Sequence, residues 1–235
     1  MDSTRPEDLI LISVIIVNYN GARWMERCLQ TLAAQTLADR LEIIISDNKS
    51  TDGSDHYAAD WLQRTGRGRV LQNGGNVGFC EGNNIGARAA RGRFLFFVNC
   101  DAWLEEDCLA KLTAELEKRQ ADAASPIVLD YDDDSFQSSG AEGIDLFGIP
   151  NANGPVNSTT EVFAVPGCSL LVSREMFERI GGFPPELFMY AEETDLGWRI
   201  WLAGGLVLLV PAARVHHRGA VAANPEGGAK ITESR

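Results

Sequence analysis

The sequence predicts a single α/β domain, with a mostly parallel central sheet and helices packed on its faces. Three observations predict it. Short apolar runs alternate with longer stretches whose apolar residues recur at helical spacing, in the order β-α-β-α-β-α-β-α. Each of these runs ends abruptly in polar and small residues, and in open α/β sheets the carboxyl ends of the strands bind ligands. The chain has 235 residues, enough for one large core, and no internal repeat divides it. The domain is expected over residues 1–219, and the small, polar stretch 220–235 reads as a disordered tail.

The elements follow in order. Residues 9–17, LILISVIIV, read as a first buried strand, and NYNG at 18–21 as its turn. Residues 24–35 form a helix with Trp24, Cys28, Leu29 and Leu32 at helical spacing. A second strand at 41–45 ends in SDNKSTDGS, a dense cluster of turn and cap residues, and a helix at 54–63 comes next. Residues 69–71 suit a short strand. Gly78, Gly82 and Gly86 then recur every four residues, which gives the following helix one bare face for close approach. The central strand is FLFFV at 94–98, followed by an amphipathic helix at 105–119 and a strand at 123–129. Residues 130–160 read as a long loop rich in Asp, Gly and Pro, and such loops are usually functional or mobile. Strand-like runs at 162–165 and 169–172, helices at 175–180 and 192–202, and a strand at 206–210 complete the domain.

Composition narrows the function. The formal net charge of -12 argues against a nucleic-acid partner, which needs a basic face, and disfavours purely electrostatic binding to anionic lipid. It leaves room for a nucleotide whose phosphates a cation neutralises. The five cysteines are odd in number and scattered without CxxC spacing, so neither a zinc site nor a disulfide framework is expected, and a reducing compartment fits. The chain opens on polar residues and holds no run of membrane-spanning length, so no signal peptide and a cytoplasmic location are expected. The two N-glycosylation patterns, at 48–50 and 157–159, read as chance matches there.

Four clusters carry candidate chemistry. Asn99 and Asp101 close the central strand, and residues two apart on an extended chain point the same way. Two oxygen ligands so placed suit Mg²⁺ or Mn²⁺ completed by a substrate's phosphates; the alternative is that Asp101 caps the next helix. The first strand-to-helix turn lacks GxGxxG, and no GxxxxGK[ST] occurs, so no glycine loop cradles phosphate and the metal reading gains. Asp47, at the end of the second strand, is expected to accept from a ribose hydroxyl or base N–H, whereas Asp52 shapes its turn. Glu192, Glu193 and Asp195 begin the last helix, where the dipole alone favours acids, and Arg199 suits an ion pair with Asp195. An apolar LFMY segment just before them should press the carboxylates against the core, raise their pKa values and suit them to base work. Of the adjacent His216 and His217, alternation allows one metal ligand at most.

Together these segments resemble the inverting family 2 glycosyltransferases of the GT-A fold, closest to their rhamnosyltransferase-like branch. The resemblance rests on SVIIVNYNG, SDNKSTDGS, GGNVGFCEGNNIG, FFVNCDA, GCSLLVSREMFERIGGF, ELFMYAEETDLGWR and VHHRG, in this order from Ser13 to about Gly219. It implies transfer of a sugar, with inversion, from a nucleotide-diphosphate donor to the hydroxyl of a saccharide or lipid-linked saccharide acceptor in cell-surface polysaccharide synthesis. By this resemblance Asn18, Asn20, Asp47, Asn76, Phe79, Asn83, Asn99, Gly167 and Asp195 bind substrate. Asp101 and His216 hold Mg²⁺ or Mn²⁺, and Glu192 and Glu193 are catalytic, with Glu193 as base. The enzyme is expected at the inner face of the membrane, in peripheral contact with it. The chain departs from the pattern in Glu193 for an Asp, in Asn99 for a first Asp, and in having only a short tail after VHHRG. A nucleotide-sugar-binding protein without turnover is the competing reading. An NAD-dependent oxidoreductase and a nucleotidyltransferase are disfavoured by the missing glycine-rich first turn.

Overall fold

The computed structural model describes residues 10–145 and 150–219. The tail expected from residue 220 lies outside them. Strands β1 (Ile12–Asn18), β2 (Leu41–Asp47), β3 (Gly68–Gln72) and β4 (Phe94–Val98) pair in parallel in the order β4-β1-β2-β3. Beyond β4 the sheet turns mixed. Strand β11 (Ser169–Ser173) runs antiparallel to β4 and to β6 (Ala123–Asp130), and β12 (Val207–His217) pairs in parallel with β6. The short β5 (Ala102–Leu104) runs antiparallel to β12.

Helices cover both faces. On one side lie α1 (Ala22–Ala33), α2 (Ser54–Thr65) and α4 (Cys108–Arg119), over a core that takes Val14, Ile16, Phe96 and Val98. On the other lie α3 (Gly78–Arg88), α5 (Arg174–Arg179) and α6 (Glu192–Leu202), over Ile15, Leu95, Phe97 and Leu170. Alternate residues of one strand thus feed opposite cores, which is why these strands read as unbroken apolar runs. The glycine stripe of α3 packs straight onto β1: a Cβ at Gly82 would lie 3.0 Å from Val17, and one at Gly86 only 2.5 Å from Ile15.

The structure differs from the sequence reading at β5, which was not expected, at the start of α4, expected at 105, and in three further places. The stretch 130–160 is not one loop, because β7 (Phe136–Ser138), β8 (Ala141–Ile144), β9 (Pro150–Ala152) and the start of β10 (Thr160–Glu161) lie in it. These strands are two to four residues long, too short for a periodic signal. Residues 162–165 form only an isolated bridge between Ala164 and Ala141. The last strand runs on to His217 through a bulge between Val210 and Arg214. Among the described residues no helix is long and apolar enough to cross a membrane, and all five cysteines are free.

Candidate active site

The carboxyl ends of β1 and β2 are bound together from within. Asn18 is fully buried, and its Nδ2 donates to Asp47 Oδ1 at 2.7 Å and to Ser54 Oγ at 2.8 Å. Asp47 is also fully buried; it accepts from Ser50 Oγ at 2.7 Å and from Ser50 N at 3.0 Å. The expectation that Asp47 faces a ribose or base is therefore corrected: its contacts are internal, and it pins the turn after β2. Asn18 belongs to the same internal network. Asp52, expected to shape the turn, accepts from Ala22 N at 2.8 Å and Ser54 N at 3.0 Å. The exposed rim is left to Asn20 and Asn76. Asn20, at φ +55°, accepts from Thr51 N at 2.8 Å, and Asn76 Oδ1 accepts from Asn48 Nδ2 and Gly78 N, both at 3.1 Å. Asn83, expected at the substrate, is buried and donates to Phe79 O at 3.0 Å inside α3. Phe79 N in turn donates to Phe188 O at 2.7 Å, which ties the start of α3 to the segment before α6.

At the end of β4 the chain turns, and Asn99 and Asp101 converge on one imidazole. Asp101 Oδ1 lies 3.3 Å from His217 Nε2, and Asn99 Nδ2 lies 3.2 Å from the same nitrogen. The histidine expectation is corrected here, for His217 and not His216 reaches Asp101. His216 points through the other face of β12 and stacks on Trp103, ring centroids 3.5 Å apart and planes 4° apart. Burial works against a charge on His217, yet Cys168 and Asp101 beside it raise its pKa from 6.5 to about 10. The buried thiol of Cys28, pushed up to about 12 by burial and by Asp101, and the half-buried thiol of Cys100, also raised, stay protonated next to the carboxylate.

This cluster fits a hard divalent cation. Asp101 is 3% exposed, and Asn99 Oδ1 is buried with no hydrogen-bond partner. The Asp101 carboxylate and the His217 nitrogen 3.3 Å from it are donors that Mg²⁺ or Mn²⁺ accepts, with positions left for phosphate oxygens, and the orphaned amide oxygen of Asn99 becomes a third if its side chain turns over. A cation there would take the place of the His217 proton. Among the described residues no group of three or more His, Cys, Asp or Glu side chains forms a self-sufficient metal cage.

The turn at 166–168 joins this cluster to the acidic pair. Cys168 O accepts from Asn99 N at 3.0 Å. A Cβ on the preceding Gly167 would lie 3.1 Å from Glu192 Oε1 and 3.3 Å from Glu193 Oε2, so a side chain there would push both carboxylates back by a few tenths of an ångström. Glu192 is 6% exposed, and its Oε2 has no hydrogen-bond partner. Burial first, and the Glu193 charge second, raise its pKa from 4.5 to about 7; burial also raises that of Glu193. Both carboxylates follow Tyr190 and Ala191, two non-glycine residues at φ +74° and +66°. Left-handed backbone there costs about 1–3 kcal/mol per residue and is held by its surroundings. Asp195 makes the ion pair with Arg199 that its spacing allowed, Nε to Oδ2 2.7 Å, so it braces α6 instead of facing the turn. Sequence reasoning missed His217 and Cys168. Period-2 alternation could not rank the two histidines, and a lone cysteine carries no signal.

Three comparisons bear on this arrangement. Residues 13–181 match the family described as Glycosyl transferase family 2. The chain is 29% identical over 238 aligned residues to the N-acetylglucosaminyl-diphospho-decaprenol L-rhamnosyltransferase of Mycobacterium tuberculosis, covering 88% of this chain and 76% of that one. It is 36% identical over 112 residues to the uncharacterized glycosyltransferase EpsJ of Bacillus subtilis, covering 48% of this chain and 32% of that one. The crystal structure of GalNAc-T7 with UDP, GalNAc and Mn²⁺ superposes with a TM-score of 0.76 at 21% identity, over 90% of this chain and 44% of that one. This chain thus spans less than half of two of these three proteins. The architecture is the expected GT-A fold, and the chain belongs to glycosyltransferase family 2.

Proposed function

We propose that this chain is a metal-dependent, inverting glycosyltransferase, moving a sugar from a nucleotide-diphosphate donor to an acceptor hydroxyl in cell-surface polysaccharide synthesis. One observation carries the proposal: the turn at 166–168 touches a cation-ready cluster, Asn99, Asp101 and His217, on one side, and the buried Glu192 with the half-buried Glu193 on the other. Asp101, His217 and Asn99 would hold Mg²⁺ or Mn²⁺. The cation supplies neutralisation of the diphosphate and of the charge that gathers on it as it leaves.

The chain's own side chains do the rest. With a pKa of about 7, Glu192 keeps a proton for part of the time at neutral pH. The pair then avoids double ionisation, and Glu193 remains the proton acceptor. The acceptor hydroxyl gives its proton to a Glu193 carboxylate oxygen as its own oxygen attacks the anomeric carbon. Attack comes from the face opposite the departing diphosphate, which inverts the configuration. Gly167 admits both carboxylates to the turn. Asn20 and Asn76, on the exposed rim, are the proposed contacts to the nucleotide, while Asn18 and Asp47 shape the floor beneath it.

The mycobacterial relative, by its name, supports rhamnosyl transfer to a lipid-linked saccharide. Work at the inner face of the membrane, in peripheral contact with it, is part of the same proposal. The test is a screen of nucleotide sugars for nucleoside-diphosphate release with Mn²⁺. Glu193→Gln should keep donor binding and lose turnover by about 10²–10⁴-fold, the usual cost of removing a general base. Absence of release from every donor would overturn the transferase reading, and near-wild-type turnover of the variant would overturn the base.

A further inference from the structure

On the face of β12 away from Asp101 lies a second cavity, of about 530 Å³. His216 lines it together with Glu105, Asp134, Arg214, Phe136 and Leu129. His216 is 2% exposed, yet neither of its ring nitrogens has a hydrogen-bond partner. Asp134 Oδ1 lies 3.0 Å from Nδ1 but outside hydrogen-bonding geometry, and Glu105 Oε1 is 3.7 Å from Nε2. Both nitrogens are closed off from solvent between the two carboxylates, so His216 braces the cavity wall. The transferase chemistry uses none of these residues.

The lining selects a ligand class. Two carboxylates against one guanidinium make the cavity unwelcoming to phosphate, sulfate or a nucleotide. The carboxylates face opposite nitrogens of His216, so they do not converge on one metal position. Hydroxyl groups suit the lining well: the carboxylates of Glu105 and Asp134 accept from them, while the Arg214 guanidinium donates to them. Phe136 is 38% exposed and, with Leu129, offers an apolar wall to C–H faces. Polar groups set around an apolar wall at this size describe a site for a small, neutral, polyhydroxylated ligand.

We infer that this cavity is a saccharide-binding site, separate from the donor site, which holds a sugar unit of the acceptor remote from the reacting hydroxyl. The assignment to the acceptor rests on the transferase reading; the binding itself does not. Its position supports the role. His216 and His217 are consecutive, so one strand separates the cavity from the cation-ready cluster, and a sugar chain reaching from one to the other would be held at two points.

The test is saturation-transfer NMR with the methyl glycosides of rhamnose, glucose, galactose and N-acetylglucosamine, on wild type, Phe136→Ala, Arg214→Ala and Asp101→Ala. His216 itself is left intact, because it is stacked and buried. Thermal melting first establishes that each variant is folded. At least one glycoside is expected to bind wild type and Asp101→Ala alike, and to bind both cavity variants about tenfold more weakly. No binding by any glycoside, unchanged binding in both cavity variants, or loss in Asp101→Ala would overturn the inference. The two readings fail separately. A protein that binds a glycoside but releases no nucleoside diphosphate keeps the site and loses the transferase. One that turns over donor without binding glycosides keeps the transferase and loses the site.

Discussion

Replacing Glu192 by Gln is expected to stabilise the protein near pH 8 and to change it little near pH 5. The carboxyl is 6% exposed, and one of its oxygens has no partner. Burial, and then the Glu193 charge, lift its pKa from 4.5 to about 7. The unfolded chain therefore releases this proton near pH 4.5, while the folded protein keeps it until about pH 7. Between those values the folded state binds more protons, so stability falls as pH rises, by about 1.4 kcal/mol per unit. Above about pH 7 the loss is complete, and over the whole interval it amounts to about 3 kcal/mol.

Gln occupies nearly the same volume and never ionises, so it escapes this loss. Urea denaturation of wild type and variant, near pH 5 and near pH 8, provides the assay. The gap between the two proteins should open with pH and reach about 3 kcal/mol, a factor of about one to three hundred in the folding equilibrium. A variant that is no more stable than wild type near pH 8 would refute the buried-charge account of this pair. A gap of equal size at both pH values would show that packing, not charge, separates the two proteins.

Asp101→Ala and His217→Ala should each reduce calorimetric binding of nucleoside diphosphate with Mn²⁺ to the value found without it, whereas His216→Ala should leave the Mn²⁺ effect intact. The reverse pattern for the two histidines would overturn the assignment. Gly167→Ala places a methyl 3.1 Å from Glu192 Oε1 and 3.3 Å from Glu193 Oε2, so turnover should fall while donor binding persists; undiminished turnover would mean that the turn does not set the pair. Gly86→Ala forces a methyl to within 2.5 Å of Ile15 and should cost about 1–3 kcal/mol, read as a lower melting temperature. An unchanged melting temperature would show that α3 can slide on β1.

The parts of this molecule that were legible in the sequence are those whose signal is local. Strands β1 and β4, buried on both faces, had to be continuous apolar runs, and α6 was readable to its terminal residues from its apolar spacing. Asn99 and Asp101 do meet at His217, but a turn brings them there and not the extended strand on which their spacing was read. The role of Asp47 was not readable. A carboxylate at a strand end looks the same in sequence whether it faces a ligand or, as here, accepts from Asn18 and Ser50. The difference lies in partners 29 and 3 residues away, of which only the nearer is visible locally. The small strands between 130 and 160 fail for the same reason: each is defined by its pairing partner and not by its own composition.

The histidines show how one irregularity decides chemistry. Leu208 and Val210 enter the core beneath α1 and α4, and Leu209 enters the opposite one. Unbroken alternation from there would send His216 to the side of Val210 and His217 to the side of Leu209. The pairing with β6 instead steps from Val210–Pro126 to Arg214–Ile127, which leaves three residues of β12 without a counterpart. An odd number of extra residues exchanges the two faces. Ala213 and Val215 accordingly share the core of Leu208 and Val210, and His217 follows them toward Asp101. The bulge thus selects which imidazole stands beside Asp101, and it turns the other onto Trp103 and into the second cavity. The two histidines are chemically the same; the choice between them is made by Pro211, Ala212 and Ala213, where the strand leaves its register.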